Sequence, residues 1–285
     1  LGFHANPAAQ QSIELDPLDT GESRELLDNL LSPNLLSRSW KERVVTAAGG
    51  VPFFLEEVLR GLVEEGRIVQ SPAGWAPVQA ENLPDLPVTV FATLFARMDR
   101  LPSLEKAVLQ RASVVGSRFW DTALSYPAPQ LGREGAALLG LQAKNWVAQQ
   151  NRSSFVDDRE YLFTNDLVRE SAYKVLTKIQ RVSEHRRTAD WLESKVGDRT
   201  EEFTELLAYH YGQSSLQAIG EDGENEDALR KAGTYGWRAA ERARTQQAYT
   251  DALSRYNDAM TLFQRLLATN EHTALQLDGL SAEEL

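Results

Sequence analysis

The stretch with the clearest chemical potential is Gly49-Gly50-Val51-Pro52-Phe53-Phe54-Leu55-Glu56-Glu57. Pro52 suits the first position of a helix, where its missing N–H has no partner to lose. Val51 then becomes the cap, and valine carries no oxygen to accept from the exposed amides of the first turn. Those amides can meet water, or they can meet the oxygens of a ligand.

Other residues of catalytic type are scattered. The four histidines, His4, His185, His210 and His272, show no metal-ligand spacing and read as surface or interhelical residues. Phe155-Val156-Asp157-Asp158 has the acidic character of a strand end that positions magnesium. It falls in a polar turn, however, where aspartate serves local hydrogen bonding, and no metal is expected. Arg186-Arg187 reads as a solvated helix face rather than a basic contact. The sequence holds no G-x4-G-K-S/T phosphate loop and no Gly-Lys pair at all; G-x-G-x-x-G, H-E-x-x-H and G-x-S-x-G are also absent. No active site is expected within this chain, and no residue is assigned a catalytic role.

A length of 285 residues suits two or three domains, and a hydrophobic content of 42% supplies their cores. The net charge of −11 argues against a general binder of phosphate backbones, which needs clustered Lys and Arg. Without cysteine, disulfides and thiolate metal sites are excluded. No apolar run approaches a membrane span, and the first residues lack a basic-then-apolar signal pattern. A cytoplasmic protein with no membrane partner is expected. The chain starts at Leu1 in the irregular stretch LGFHANPAAQQ and reads as a piece of a longer polypeptide.

Several elements must position the Pro52 turn. Ser12 to Leu18 reads as a short strand, followed by a helix capped by Thr20 or Ser23, with Leu26, Leu27, Leu30 and Leu31 at helical spacing until Pro33. A second helix from Leu35 to Ala48 stops at Gly49-Gly50. The Pro52 helix runs to about Glu65, with Phe54, Val58 and Leu62 beside Leu55, Leu59 and Val63 on a broad apolar face. GRIVQSPAGWAPV reads as a hairpin turning at Ser71-Pro72-Ala73-Gly74.

Pro84 and Pro87 mark a linker. Helices follow from Val88 to about Arg100, over SLEKAVLQRASVVG, and over GREGAALLGLQAKN; WVAQQNRSSFVDDREYLFTND then reads as two strands around a polar turn. Three helices and a two-stranded wing is the order of a winged helix-turn-helix domain. The helix that would enter a DNA groove offers Lys144 as its only charge near its end, with Arg133 before it and Arg152 after. Groove reading needs side chains for phosphates and base edges, so protein packing is the expected use and nucleic acid is not an expected partner.

The remainder is almost all helix. FTNDLVRESAYKVL takes Asn165 or Thr164 as cap and places Val168, Ala172, Leu176 and Ile179 on one face. Helices over QRVSEHRRTADWLESKV and TEEFTELLAYHYGQSS follow, then the acidic IGEDGENED as a surface loop. Asp227 to Arg244 and Gln246 to Ala268 form a helical hairpin. Its Ala252, Tyr256 and Ala259, with Ala240 opposite, are similar to a tetratricopeptide unit, though alanine replaces the usual glycine and no proline closes the unit. One such unit cannot bury its own face, so it must pack on the preceding helices or continue into a longer array.

Taken in order, these features resemble the distal half of a signal-transducing P-loop ATPase of the STAND class, in the bacterial versions fused to class III adenylate/guanylate cyclases, protein kinases or LuxR-type DNA-binding domains. That family passes from its ATPase core into a helical lid, a winged helix and a tetratricopeptide array. Its lid opens with a sequence like G-N-P-F-F-L-E-E, where this chain has Gly50-Val51-Pro52-Phe53-Phe54-Leu55-Glu56-Glu57. LPVTVFATLFARMDRLP and EKAVLQRASVVGSRF look like its winged-helix segments. FTNDLVRESAYKVL looks like F-x-H-x-L-x-R-E-x-A-Y, and RVSEHRRTADWLE and LLAYHY match the helices after it.

The resemblance implies a mainly α chain: lid helices with a hairpin over 1–77, a winged helix over 78–165, and a tetratricopeptide-like arm over 166–285. It implies that Pro52 presses toward the adenine of ATP or ADP held mainly by an ATPase core outside this chain, with Gly50 letting the backbone come close. It implies as partners that core, an output domain, and a protein bound to the helical arm. Val51 departs from the family's asparagine and Asn165 from its histidine. The competing expectations are a stand-alone winged-helix transcriptional regulator and a helical scaffold that never touches nucleotide.

Overall fold

A computed structural model describes residues 15–31, 37–71, 74–77, 89–127, 133–215 and 223–283. The chain is mainly helical and divides into two compact units, Leu1–Arg100 and Leu101–Leu285. No helix among the described residues is long and apolar enough to cross a membrane.

In the first unit, α1 (Thr20–Leu30) is capped by Asp19 rather than by Thr20 or Ser23. The Glu22 N–H donates to Asp19 Oδ1 at 2.8 Å, and the Asp19 N–H donates back to Glu22 Oε2 at 2.9 Å. An acid three residues after the cap completes this reciprocal box, which neither Thr20 nor Ser23 can match. The expected strand does not form over Leu15–Leu18; Ser12 to Glu14 lie outside the described residues. Leu18 instead makes one backbone bond, its N–H to the Gly50 carbonyl at 2.9 Å.

Helix α2 (Arg38–Ala48) begins three residues later than Leu35, because the Ser37 hydroxyl accepts from the Trp40 N–H and fixes the start there. Gly49 ends it in the left-handed region, as the glycine pair suggests. Helix α3 (Pro52–Glu64) takes Pro52 at its first turn. Strands β1 (Ile68–Ser71) and β2 (Gly74–Pro77) pair antiparallel with Ser71 opposite Gly74. That is the expected hairpin, with Pro72 and Ala73 outside the described residues. Leu27, Trp40, Val44, Phe54, Leu55 and Ile68 centre one apolar core that joins α1, α2, α3 and β1. Helix α4 (Val90–Asp99), capped by the Thr89 hydroxyl, packs on α3 within this unit; the sequence pattern alone groups it with the helices that follow. Pro84, Pro87 and Val88 lie outside the described residues.

The second unit opens with α5 (Ser103–Val115), β3 (Arg118–Trp120), the short α6 (Asp121–Ser125), α7 (Arg133–Ala143), β4 (Val147–Gln149) and β5 (Glu160–Phe163). The sheet is antiparallel in the order β3-β5-β4, with Phe119 opposite Tyr161 and Ala148 opposite Leu162. The pair β4 and β5 matches the expected two strands. Strand β3 and helix α6 carry no periodic signal, being three and five residues long.

Helix α8 (Asp166–Lys174) is capped by Asn165, whose Oδ1 accepts from the Leu167 N–H at 2.8 Å. The expected continuous face then breaks. Thr177 and Gln180 form a second capping box that starts α9 (Lys178–Val196), so Ile179 is 76% exposed while Val168, Ala172 and Leu176 are buried. A 3-10 turn (Gly197–Phe203) leads into α10 (Thr204–Ser215).

Helix α11 (Gly223–Thr245) absorbs Glu224 to Asp227 of the expected acidic loop, where negative charge complements a helix N-terminus. Helix α12 (Tyr249–Glu283) runs past the expected end at Ala268. Helix α10 packs between α9 and α11, and α11 between α10 and α12. Gly233 and Gly236 of α11 face α12 at close range. A Cβ on Gly233 would lie 2.7 Å from the Phe263 ring, and one on Gly236 3.4 Å from the Ala259 Cβ. Ala240, Ala252 and Ala259 are buried along the same hairpin.

Candidate functional site

Two consecutive left-handed glycines, Gly49 (φ 56°) and Gly50 (φ 78°), carry the chain from α2 to α3. The Val51 N–H donates to the Ala48 carbonyl at 3.0 Å, and the Phe54 N–H to the Val51 carbonyl at 3.1 Å. Val51 gives no side-chain cap, as its chemistry requires. Pro52 and Val51 are exposed, Phe53 is half-buried, and Phe54 and Leu55 are sunk in the core. The turn is therefore open on one side and anchored on the other.

The close approach that Gly50 permits is made by the chain itself. A Cβ there would lie 2.3 Å from the Leu18 carbonyl oxygen and 2.9 Å from the Pro17 Cβ. Gly50 thus seats the segment before α1 against the turn, and Pro52 is the member of the pair that faces outward.

Further along α3 lies a partly buried ionic cluster that the sequence patterns do not reveal. Arg97 of α4 is 2% exposed. It donates to Glu57 Oε2, and to both oxygens of Glu64 at 2.9 and 2.6 Å. Burial raises the Glu57 carboxyl above the ordinary carboxylate range, against the opposing pull of Arg97 and Arg60. Gly61 lies between the two glutamates, and the Arg97 stem passes it at ordinary contact distance, its Cγ 3.7 Å from where a Cβ would stand. The legible trace is two acids flanking a glycine on an otherwise apolar helix face, opposite an arginine in the apolar VFATLFARMD.

In the second unit, the cation at the end of the helix a groove reader would use is paired within the protein. Lys144 donates to Glu105 at 2.8 and 3.0 Å, and Gly140 leaves the space that the Glu105 carboxylate fills. Leu139 is 65% exposed on α7; Arg133 and Arg152 are exposed at either side. The loop between β4 and β5 is pinned down by Phe155, which is buried with ring centroids 5.0 Å from Trp120, 5.6 Å from Trp191 and 5.3 Å from Phe203. Asp158 pairs with Lys195 at 2.8 Å, Glu160 accepts from the Ser154 N–H at the same distance, and Arg199 donates to the Ser154 carbonyl at 3.1 Å. Asp157 takes a left-handed turn conformation, φ 68°.

Arg186 and Arg187 are not a solvated face. Arg186 bridges Asp190 and Asp227, and Arg187 donates to the Leu124 carbonyl and pairs with Glu184. Each finds a partner on another element, which helical periodicity cannot foretell. His185 and His210 are both buried and meet between α9 and α10. His4 and the His272 side chain lie outside the described residues. Among the described residues, no three His, Cys, Asp or Glu side chains are grouped to hold a metal ion.

No protein-family model matches this sequence, and comparison with curated proteins returns no match.

Proposed function

We propose that this chain is the regulatory segment of a STAND-type signalling ATPase: lid, winged helix and the start of a tetratricopeptide-like arm. Nucleotide bound between the lid and an ATPase core favours one domain arrangement, and a protein bound to the arm favours another. The output activity, cyclase, kinase or transcription factor, belongs to another part of the parent protein. In this reading the segment itself is not catalytic and works in the cytoplasm.

The observation that carries the reading is the exposed Pro52 on a turn whose next residues, Phe54 and Leu55, are locked in a core. A rigidly held, outward-facing proline beside uncapped helix amides suits contact with an adenine ring. The order α5-β3-α6-α7-β4-β5 with β5 central supports the winged helix, and the succession α9 to α12 supports the helical arm. Gly50 enters as the residue that fixes the turn against Leu18, with Pro52 as the nucleotide contact.

The regulator reading gains no support, because Lys144 is paired to Glu105 and the wing is clamped by Phe155. ATP affinity of the full-length protein, with and without Pro52→Ala, tests the proposal. Loss of a packed ring contact of about 1 kcal/mol weakens binding roughly fivefold. A pure scaffold gives no change.

A further inference from the structure

Two buried histidines meet in the seam between α9 and α10, and nothing in the nucleotide reading uses them. His185 and His210 are 1% and 0% exposed, and their Nδ1 atoms stand 2.9 Å apart. On the other side of His185, Nε2 lies 3.0 Å from the Tyr173 hydroxyl of α8. His210 Nε2 is buried without a well-formed hydrogen bond, near the Val115 carbonyl at the end of α5. A line of polar atoms thus runs through four helices.

Proton counting on this line is restrictive. Of two nitrogens at hydrogen-bond distance, one donates and the other stays bare. With His185 Nδ1 donating to His210 Nδ1, His185 Nε2 accepts from Tyr173 and His210 Nε2–H points toward Val115. A first added proton can enter at His185 Nε2, because the Tyr173 oxygen can turn and accept. A second has only His210 Nδ1 left, and two N–H groups then face each other along one contact.

We propose that the His185–His210 contact is an acid-sensitive latch: it holds α10 on α9 while the pair carries at most one extra proton, and double protonation opens that seam. Among the described residues, no carboxylate is ion-paired with either imidazole. From α9, Arg181 sits 4.6 Å over the Tyr173 ring and repels a charge on His185. From α8, Arg169 adds positive potential beside Tyr173. From α10, Tyr209 presents its ring to both imidazoles. Glu184, the neighbour of His185, is engaged by Arg111 of α5 and by Arg187. From α11, Lys231 and Tyr235 meet Glu193 and not the imidazoles.

Burial, with help from Arg181, lowers His185 to about 4; burial and then His185 lower His210 to about 3. Both lie below the ordinary histidine value, so the sign is fixed. The latch is fully closed above about pH 6.5, weakens as pH falls, and is spent once pH passes below the two folded values.

Nitrogen-15 NMR of the histidine rings in the full chain tests this, read alongside the α10 amide signals from pH 7.5 to 3.5. The latch requires a mixed pair at neutral pH, one Nδ1 protonated and one bare. It also requires neither ring to charge above pH 5, and α10 signals to be lost as the rings do charge. Either ring titrating near 6.5 with α10 intact overturns it. As a second arm, Tyr173→Phe/His185→Leu/His210→Phe removes the titrating groups while keeping apolar volume. Its melting temperature must fall less than that of the wild type between pH 7 and pH 4.5. Parallel falls also overturn the proposal, and a variant that does not fold leaves the NMR result to decide.

Discussion

Arg97 offers the sharpest test of how α3 is held against α4. Its guanidinium bridges Glu57, whose side chain is 3% exposed, and Glu64, at 27%. Arg97→Met keeps the stem that covers Gly61 but removes the charge. Glu57 then faces the interior alone, and removing one partner of a buried pair costs about 3–5 kcal/mol. Protonation limits that cost. Burial already raises Glu57, and losing Arg97 raises it further, so the unpaired carboxylate is neutralised in mild acid.

An acid with a raised folded value is relatively favoured at low pH and penalised as pH rises through its unfolded value near 4.5. The variant should therefore lose about 3–5 kcal/mol at pH 7 and markedly less at pH 4. Native-state hydrogen exchange of peptides covering Pro52–Glu64 and Val90–Asp99 reads the loss locally, free of the second unit's own unfolding. Adding Glu57→Leu to Arg97→Met should restore most of the protection at pH 7, since both buried charges are gone. A loss below about 1 kcal/mol at pH 7, or an equal loss at both pH values, refutes the reasoning.

Phe155→Ala empties the box formed by Trp120, Trp191 and Phe203 and should cost the second unit about 3–5 kcal/mol by denaturant titration. A cost under 1 kcal/mol, roughly, means the loop is not clamped there. Gly50→Ala puts a Cβ at positive φ against the Leu18 carbonyl and should destabilise the first unit by about 2–3 kcal/mol, read as exchange protection in α1 and α3. Wild-type protection in that variant shows that Leu18 does not sit on Gly50.

Long periodic segments and sharp stops were legible in the sequence. Gly49 and Gly66 end or follow helices in left-handed conformations, Pro52 opens α3, and Ser71 to Gly74 closes a hairpin. The losses are physical. Strand β3 and helix α6 are too short for a period to emerge, and the Thr177–Gln180 box outcompeted the apolar register that would have carried α8 through to Ile179.

At the candidate site, sequence located Pro52 and the missing cap, because both are local properties. It could not see that Gly50 serves Leu18, or that Arg97, Arg186 and Arg187 have partners, because those contacts join residues far apart along the chain. His185 and His210 are 25 residues apart and reveal themselves as a pair only when α9 and α10 pack.

The central claim is that Pro52 touches nucleotide held by an ATPase core. Its most direct test is equilibrium ATP binding by the full-length protein and its Pro52→Ala variant, with α3 exchange protection as the control for folding. The wild type should bind ATP, and the variant should bind it about fivefold more weakly at unchanged protection. Equal affinities, or no ATP binding by the full-length protein, contradict it.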